Sequence, residues 1–191
     1  MLILLGGAPR AGKGIISRRV AAEAEYPLLS LDPLKMGLQN AVPSLGIDAD
    51  ANPAEVGEKM WPLVRAIAEN VLDSESEYIF EGDMILPHQA AALLNQAAAL
   101  LSFPGADVRA CFVGYGSIDS RQKLAEIRQH TGLPNDWLTE HDDEYVLGVV
   151  EYGIRFSRHL AEQCNHHGLR YFDVSEDFAK TVDDVAAYLL E

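Results

Sequence analysis

Leu2-Ile3-Leu4-Leu5-Gly6-Gly7-Ala8-Pro9-Arg10-Ala11-Gly12-Lys13-Gly14-Ile15 is the stretch that decides the fold of this 191-residue chain. Four consecutive apolar residues before Gly6-Gly7 predict a short strand buried on both faces, as in a parallel sheet. Gly7 to Gly14 then fits G-x-x-x-x-G-K, with Gly14 where Ser or Thr usually stands. Glycines at such a bend let backbone N–H groups curl around an anion, and Lys13 adds a point charge. From Lys13 to about Glu25 the residues read as a helix, so the positive end of its dipole faces the same anion. Gly14 removes a hydroxyl that ordinarily helps to hold Mg²⁺. The context the motif requires, a strand before and a helix after, is present.

Strands and helices alternate through the rest of the chain. Pro27–Leu31, Tyr78–Phe80, Val108–Val113 and Leu169–Val174 read as further strands. Asn52-Pro53-Ala54-Glu55 predicts a capped helix start, and Pro62 should bend or divide the helix that follows. Helices are also expected from Pro87 to about Leu101, from about Asp119 to His130, and from near Thr139. Thr181-Val182-Asp183-Asp184 resembles the capping box of a last helix. Residues 40–52 and 131–136 are the candidates for mobile loops. Five apolar strands separated by helices imply an α/β fold, a three-layer arrangement with a five-stranded parallel sheet and helices on both faces.

Composition bounds the function. Hydrophobic residues make up 48% and charged residues 23%, which suits one compact domain over residues 1–191. Fifteen basic against 29 acidic residues leave a net charge of −14, which repels phosphate backbones and argues against a nucleic-acid partner. Cys111 and Cys164 have no metal-ligand spacing and read as reduced thiols. No apolar run reaches the roughly 18–20 residues that span a bilayer, and Leu2–Leu5 is too short for a secretory signal. A cytoplasmic protein with no membrane partner is expected. Oligomeric state is not legible.

The run Leu4-Leu5-Gly6-Gly7-Ala8-Pro9 through Ala11-Gly12-Lys13-Gly14 resembles the phosphate loop of adenylate kinases, G-x-P-G-x-G-K-G-T. Gly follows Lys there too, which makes Gly14 a shared feature. Arg10 stands where that family has Gly, and Ile15 where it has Thr. The close match covers about fifteen residues. The strand order resembles the broader P-loop NTPase fold of small-molecule kinases, and the later motifs are more similar to zeta-toxin-like and chloramphenicol-phosphotransferase-like enzymes. The resemblance implies ATP and Mg²⁺ as cofactors, with Gly7, Ala8, Pro9, Arg10, Ala11, Gly12, Lys13, Gly14 and Ile15 forming the nucleotide loop. It also implies a helical insert on the substrate side at about 33–73 and a lid at about 117–136.

Ligands of open parallel sheets sit beyond the carboxyl ends of the strands, which singles out the polar residues there. In related kinases an aspartate at the place of Asp32 accepts or orients the proton of a substrate hydroxyl; Asp32 followed by Pro33 also reads as a helix cap. Glu81 is the candidate metal-side carboxylate, and Asp83 and Lys35 are candidate substrate contacts. Arg121 and Arg128 are seven apart, about 20° from sharing a helix face. In such kinases lid arginines neutralise the transferring phosphoryl group; a solvated face paired with Glu126 accounts for them almost as well. Arg155 and Arg158 are weaker lid candidates. His88 reads as a surface residue, and Phe178 as a core plug or an adenine contact.

These readings converge on an ATP-binding phosphotransferase acting on a small hydroxylated molecule. A nucleoside monophosphate kinase is the nearest alternative, but those enzymes hold the acceptor phosphate with an arginine where Glu81-Gly82-Asp83-Met84-Ile85 has none. A doubly negative acceptor would face Asp32 and Asp83 at about 1 kcal/mol or more per pair, so a neutral or less anionic acceptor is favoured. An ATP-binding regulatory protein without kinase activity is the second alternative. The chain has no N-K-x-D run of the kind that reads guanine.

Overall fold

The expected N-terminal strand forms as β1 (Leu2–Gly7), buried along its whole length. The computed structural model describes residues 1–99, 108–132 and 136–191. After β1 come α1 (Lys13–Ala24), β2 (Leu28–Ser30), α2 (Leu31–Ala41), α3 (Pro53–Asp73), β3 (Tyr78–Glu81), α4 (Pro87–Ala99) and β4 (Val108–Gly114). The chain continues with α5 (Ser120–Gln129), α6 (Asp143–His167), β5 (Arg170–Asp173) and α7 (Phe178–Leu190). The five strands form one parallel sheet in the order β2-β3-β1-β4-β5.

This order puts β1 at the centre, where the chain turns from one half of the sheet to the other. Such a switch point opens a crevice at the strand ends. Register fixes what meets there: Leu5 lies opposite Glu81 of β3, and Gly7 opposite Val113 of β4. The sheet core is apolar across its three central strands, with Ile3, Leu4, Phe80 and Phe112 fully buried. Helix α1 packs on α7, joined by the Arg19–Asp183 ion pair, and α6 packs on β4, α4 and α5. Cys111 and Cys164 are free and buried. Among the described residues no helix is long and apolar enough to cross a membrane.

Local expectations hold where a cap is read correctly. The Asn52 side chain accepts the Glu55 amide and starts α3. Pro62 does not divide that helix: it is exposed, so the backbone bond it removes lies on the solvent side. Two helix starts move. Helix α6 begins at Asp143 rather than near Thr139, because Asp142 accepts the Tyr145 amide while the Thr139 hydroxyl is bound to Asp136 in the preceding turn. Helix α7 begins three residues before the Thr181 box, because Asp177 accepts the Lys180 amide first. Residues 40–52 hold the end of α2 and a short 3-10 turn at Pro43–Leu45. The expected end of α4 near Leu101 and part of the 131–136 segment lie outside the described residues.

Candidate functional site

Backbone conformation builds the loop between β1 and α1. Gly7 has φ +149° and Gly12 φ +89°. A Cβ on Gly7 would collide with the Val113 carbonyl, and one on Gly12 would come within 2.6 Å of the Phe178 ring. The Ala8 amide donates to the Val113 carbonyl at 2.9 Å, tying the loop to β4, and the Ala11 amide donates to Ala8 O at 3.2 Å. Lys13 is only 8% exposed, and its ammonium donates to Ala8 O at 3.0 Å. The ammonium thus lies over its own loop and not against a structural carboxylate. The Lys13 and Gly14 amides belong to the first turn of α1, which no helical carbonyl can satisfy.

Opposite Lys13 stand the carboxylates of the neighbouring strand ends. Glu81 closes β3; burial pushes its carboxyl up from the usual carboxylate range, while Lys13 pulls it back and Asp32 adds to the rise. Asp83, past Gly82, is pushed up by burial, with Lys13 and Lys35 opposing and Asp32 reinforcing. Its Oδ1 is buried without a hydrogen-bond partner. Asp32 lies in the first turn of α2, its side chain 56% exposed and 3.4 Å from the Lys35 ammonium. It is not the helix cap: α2 starts one residue earlier, after Ser30, and Asp32 instead sits where the helix dipole favours a carboxylate.

These groups share one open cleft of about 2670 Å³ with Pro9, Gly12, Gly14 and Ile15. That exceeds the ~300–1,000 Å³ of a single small-ligand pocket, so two ligands fit side by side. Ser17 also lines it, its hydroxyl buried and unpartnered. Among the described residues no three His, Cys, Asp or Glu side chains cluster tightly enough to hold a metal alone. A Mg²⁺ ion here fits only the mode in which one or two carboxylates supplement phosphate oxygens and water, and buried Glu81 suits that part. A smaller cavity of about 330 Å³, between Arg170, Tyr188 and Glu191, holds none of these groups.

The expected lid arginines are not brought to the cleft. Arg128 donates to Asp143 Oδ1 at 2.8 Å and to the carbonyls of Leu138 and His141, stapling α5 to the start of α6. Arg121 is exposed, and neither it nor Arg128 lines the cleft. Arg155 and Arg158 do not line it either; Arg158 donates to Gly116 O at 2.8 Å. The inward face of α5 is set by Ile127, and Lys123, one turn earlier, shares that face. Lys123 is buried, 5.0 Å from the Tyr115 ring centre and 3.3 Å from Glu126. Ile127 marks this face in the sequence, whereas the spacing of the arginines says nothing of direction. Phe178 is no core plug: it is 38% exposed and lies across Gly12. His88 is on the surface, paired with Glu58.

An aromatic wall completes the cleft and has no warning in the sequence pattern. His141 and Tyr145 stack at 4.0 Å, and Trp137 meets His141 edge-on at 6.4 Å. Trp137 and Tyr145 are about half exposed. Burial pushes the hydroxyl of Tyr152, further along α6, up from its ordinary range, and the charge of Asp83 adds to the rise.

Three solved structures share the fold of this protein over nearly the whole chain. A gluconokinase from Sinorhizobium meliloti 1021 matches with a TM-score of 0.59 at 17% identity, covering 98% of this chain and 90% of its own. A shikimate kinase from Bacteroides thetaiotaomicron matches with a TM-score of 0.54 at 14% identity, covering 100% and 99%. An uncharacterized protein from Eubacterium ventriosum ATCC 27560 matches with a TM-score of 0.52 at 13% identity, covering 99% and 97%. No protein-family profile and no curated protein sequence matches the chain. The chain has the P-loop kinase fold.

Proposed function

We propose that this P-loop kinase fold transfers the γ-phosphoryl group of ATP to a hydroxyl of a small, uncharged acceptor. The observation that carries the reading is the meeting of Lys13, on its glycine loop, with Asp32, Lys35, Glu81 and Asp83 in one cleft wide enough for two ligands. Similarity to two kinases of small hydroxylated molecules supports the class of reaction.

Lys13 and the first-turn amides of α1 hold the β- and γ-phosphate oxygens. Glu81 would hold Mg²⁺, which when bound offsets the negative charge of the phosphates. Asp32 orients the acceptor hydroxyl and takes its proton, with Lys35 fixing the carboxylate, while Asp83 contacts the acceptor from the buried side. The acceptor oxygen forms a bond to the γ-phosphorus as the bond to the β–γ bridging oxygen breaks, and ADP leaves with that electron pair. Lys123 adds positive charge from the α5 side of the cleft.

Asp32 and Asp83 on the acceptor side repel a doubly negative acceptor, which disfavours a nucleoside monophosphate. Met36, Val56, Trp137, Tyr145 and Tyr152 give the cleft apolar walls, suited to an acceptor with a flat apolar part beside its hydroxyl. The test is ADP release from Mg-ATP across a panel of neutral hydroxylated molecules, half with and half without a ring. Stimulation well above the acceptor-free rate by one ring-bearing compound is expected. A panel in which nothing exceeds that rate would remove the reading.

A further inference from the structure

A phosphoryl group leaving ATP carries charge that a cation must meet above the loop, and neither α5 arginine lines the cleft. Arg10 does. Its backbone lies in the left-handed region at φ +62°, where a side chain costs on the order of 1 kcal/mol or more and glycine costs nothing. The loop thus keeps an arginine at a position that glycine would fill without strain.

Arg10 is held from one side. One guanidinium nitrogen lies 3.1 Å from Asp136 Oδ1. Asp136 is itself fixed: its side chain is 3% exposed, and its carboxylate accepts the Thr139 hydroxyl at 2.8 Å and the amides of Gly132 and Leu138 at 3.3 Å each. Burial pushes this carboxyl up, but Thr139, Arg10 and the two amides outweigh it and hold it below the usual range. A guanidinium carries five N–H donors in a planar fork, and among the described residues Arg10 makes no other bond. The remaining donors match the oxygens of a phosphate.

We propose that Arg10 grips the γ-phosphoryl group, with Asp136 as the positioning residue that anchors its guanidinium. The proposal rests on the ATP-dependent reaction above and names the arginine that the α5 helix does not supply. It is a role for a residue within the loop itself, independent of which acceptor is used.

Calorimetry of the full chain with Mg-ADP, and with Mg²⁺ and a β,γ-imido analogue of ATP, tests it without an acceptor. Arg10→Gly suits the backbone and keeps the bend. It should weaken the triphosphate analogue about ten- to a hundredfold, the scale of one charged hydrogen-bond pair, and change Mg-ADP less than about threefold. Arg10→Lys, which keeps the charge and loses the fork, should fall between. For Asp136→Asn, removing a negative charge would by electrostatics alone tighten the triphosphate; a weakening specific to the triphosphate marks anchoring, and a tightening overturns it. Equal loss of both nucleotides in Arg10→Gly, or no loss, overturns the Arg10 assignment and leaves the kinase reading intact. Unchanged wild-type protein binding neither nucleotide overturns both.

Discussion

The Gly7–Gly14 loop and helix α5 both carry cations to the same cleft, yet different forces place them. In the loop, Gly7 and Gly12 occupy conformations that a side chain would block, and Lys13 follows within the same few residues. Its placement is local, and the sequence reports it. In α5, the inward face is chosen by packing: Ile127 buries against the body of the protein and takes Lys123 with it, while Arg128 turns away to bind Asp143. Spacing between like residues gives an angle between side chains and no direction. An apolar partner on the same face gives the direction.

The contrast can be broken most sharply at Lys13. Lys13→Ala should lower kcat/KM for ATP at least about 100-fold, the scale of a charge-stabilising group at the reacting atoms, with the thermal midpoint almost unchanged; ADP release within tenfold of wild type would contradict it. Gly12→Ala comes next, since a Cβ there meets the Phe178 ring at a positive φ. A loss of about 1–3 kcal/mol in denaturant unfolding is expected. On the helix side the roles should separate: Lys123→Met is expected to cut turnover about tenfold with little effect on stability. Arg128→Ala should instead cost about 1 kcal/mol of stability and leave turnover within about twofold. Arg121→Ala should change neither beyond about 0.5 kcal/mol. A turnover loss confined to Arg128→Ala would reverse the comparison.

A separate expected effect concerns pH. Glu81 and Asp83 are both pushed up, first of all by burial, so each holds its proton more tightly folded than unfolded. The folded state then binds more protons between the unfolded and folded pKa values. Stability of the nucleotide-free protein falls as pH rises through that window, by at most about 1.4 kcal/mol per pH unit for each carboxyl, and levels off above it. Glu81→Gln and Asp83→Asn should each flatten the slope in thermal unfolding measured across that range. An unchanged slope in both would show that the carboxyls are not desolvated.

Legibility followed the range of the interactions. The strands were readable because a run such as Leu2–Leu5 is apolar whichever neighbours it finds, and Asn52 was readable because its partner, Glu55, is three residues away. The starts of α6 and α7 differ from the pattern because a nearby aspartate, Asp142 or Asp177, takes the cap first. The aromatic wall was out of reach because Trp137 and His141 stand in a turn before α6 and meet Tyr145 only through the fold.

The sequence by itself determined a β-loop-α unit with its lysine, an alternating parallel fold, and the acidic strand ends, since each depends on residues close in the chain and on the period of burial. Only the tertiary structure decided the strand order around β1, the inward face of α5, and the contact between Arg10 and Asp136. Those depend on packing between segments far apart in sequence, where many pairings satisfy the same local pattern and only the shared core selects among them.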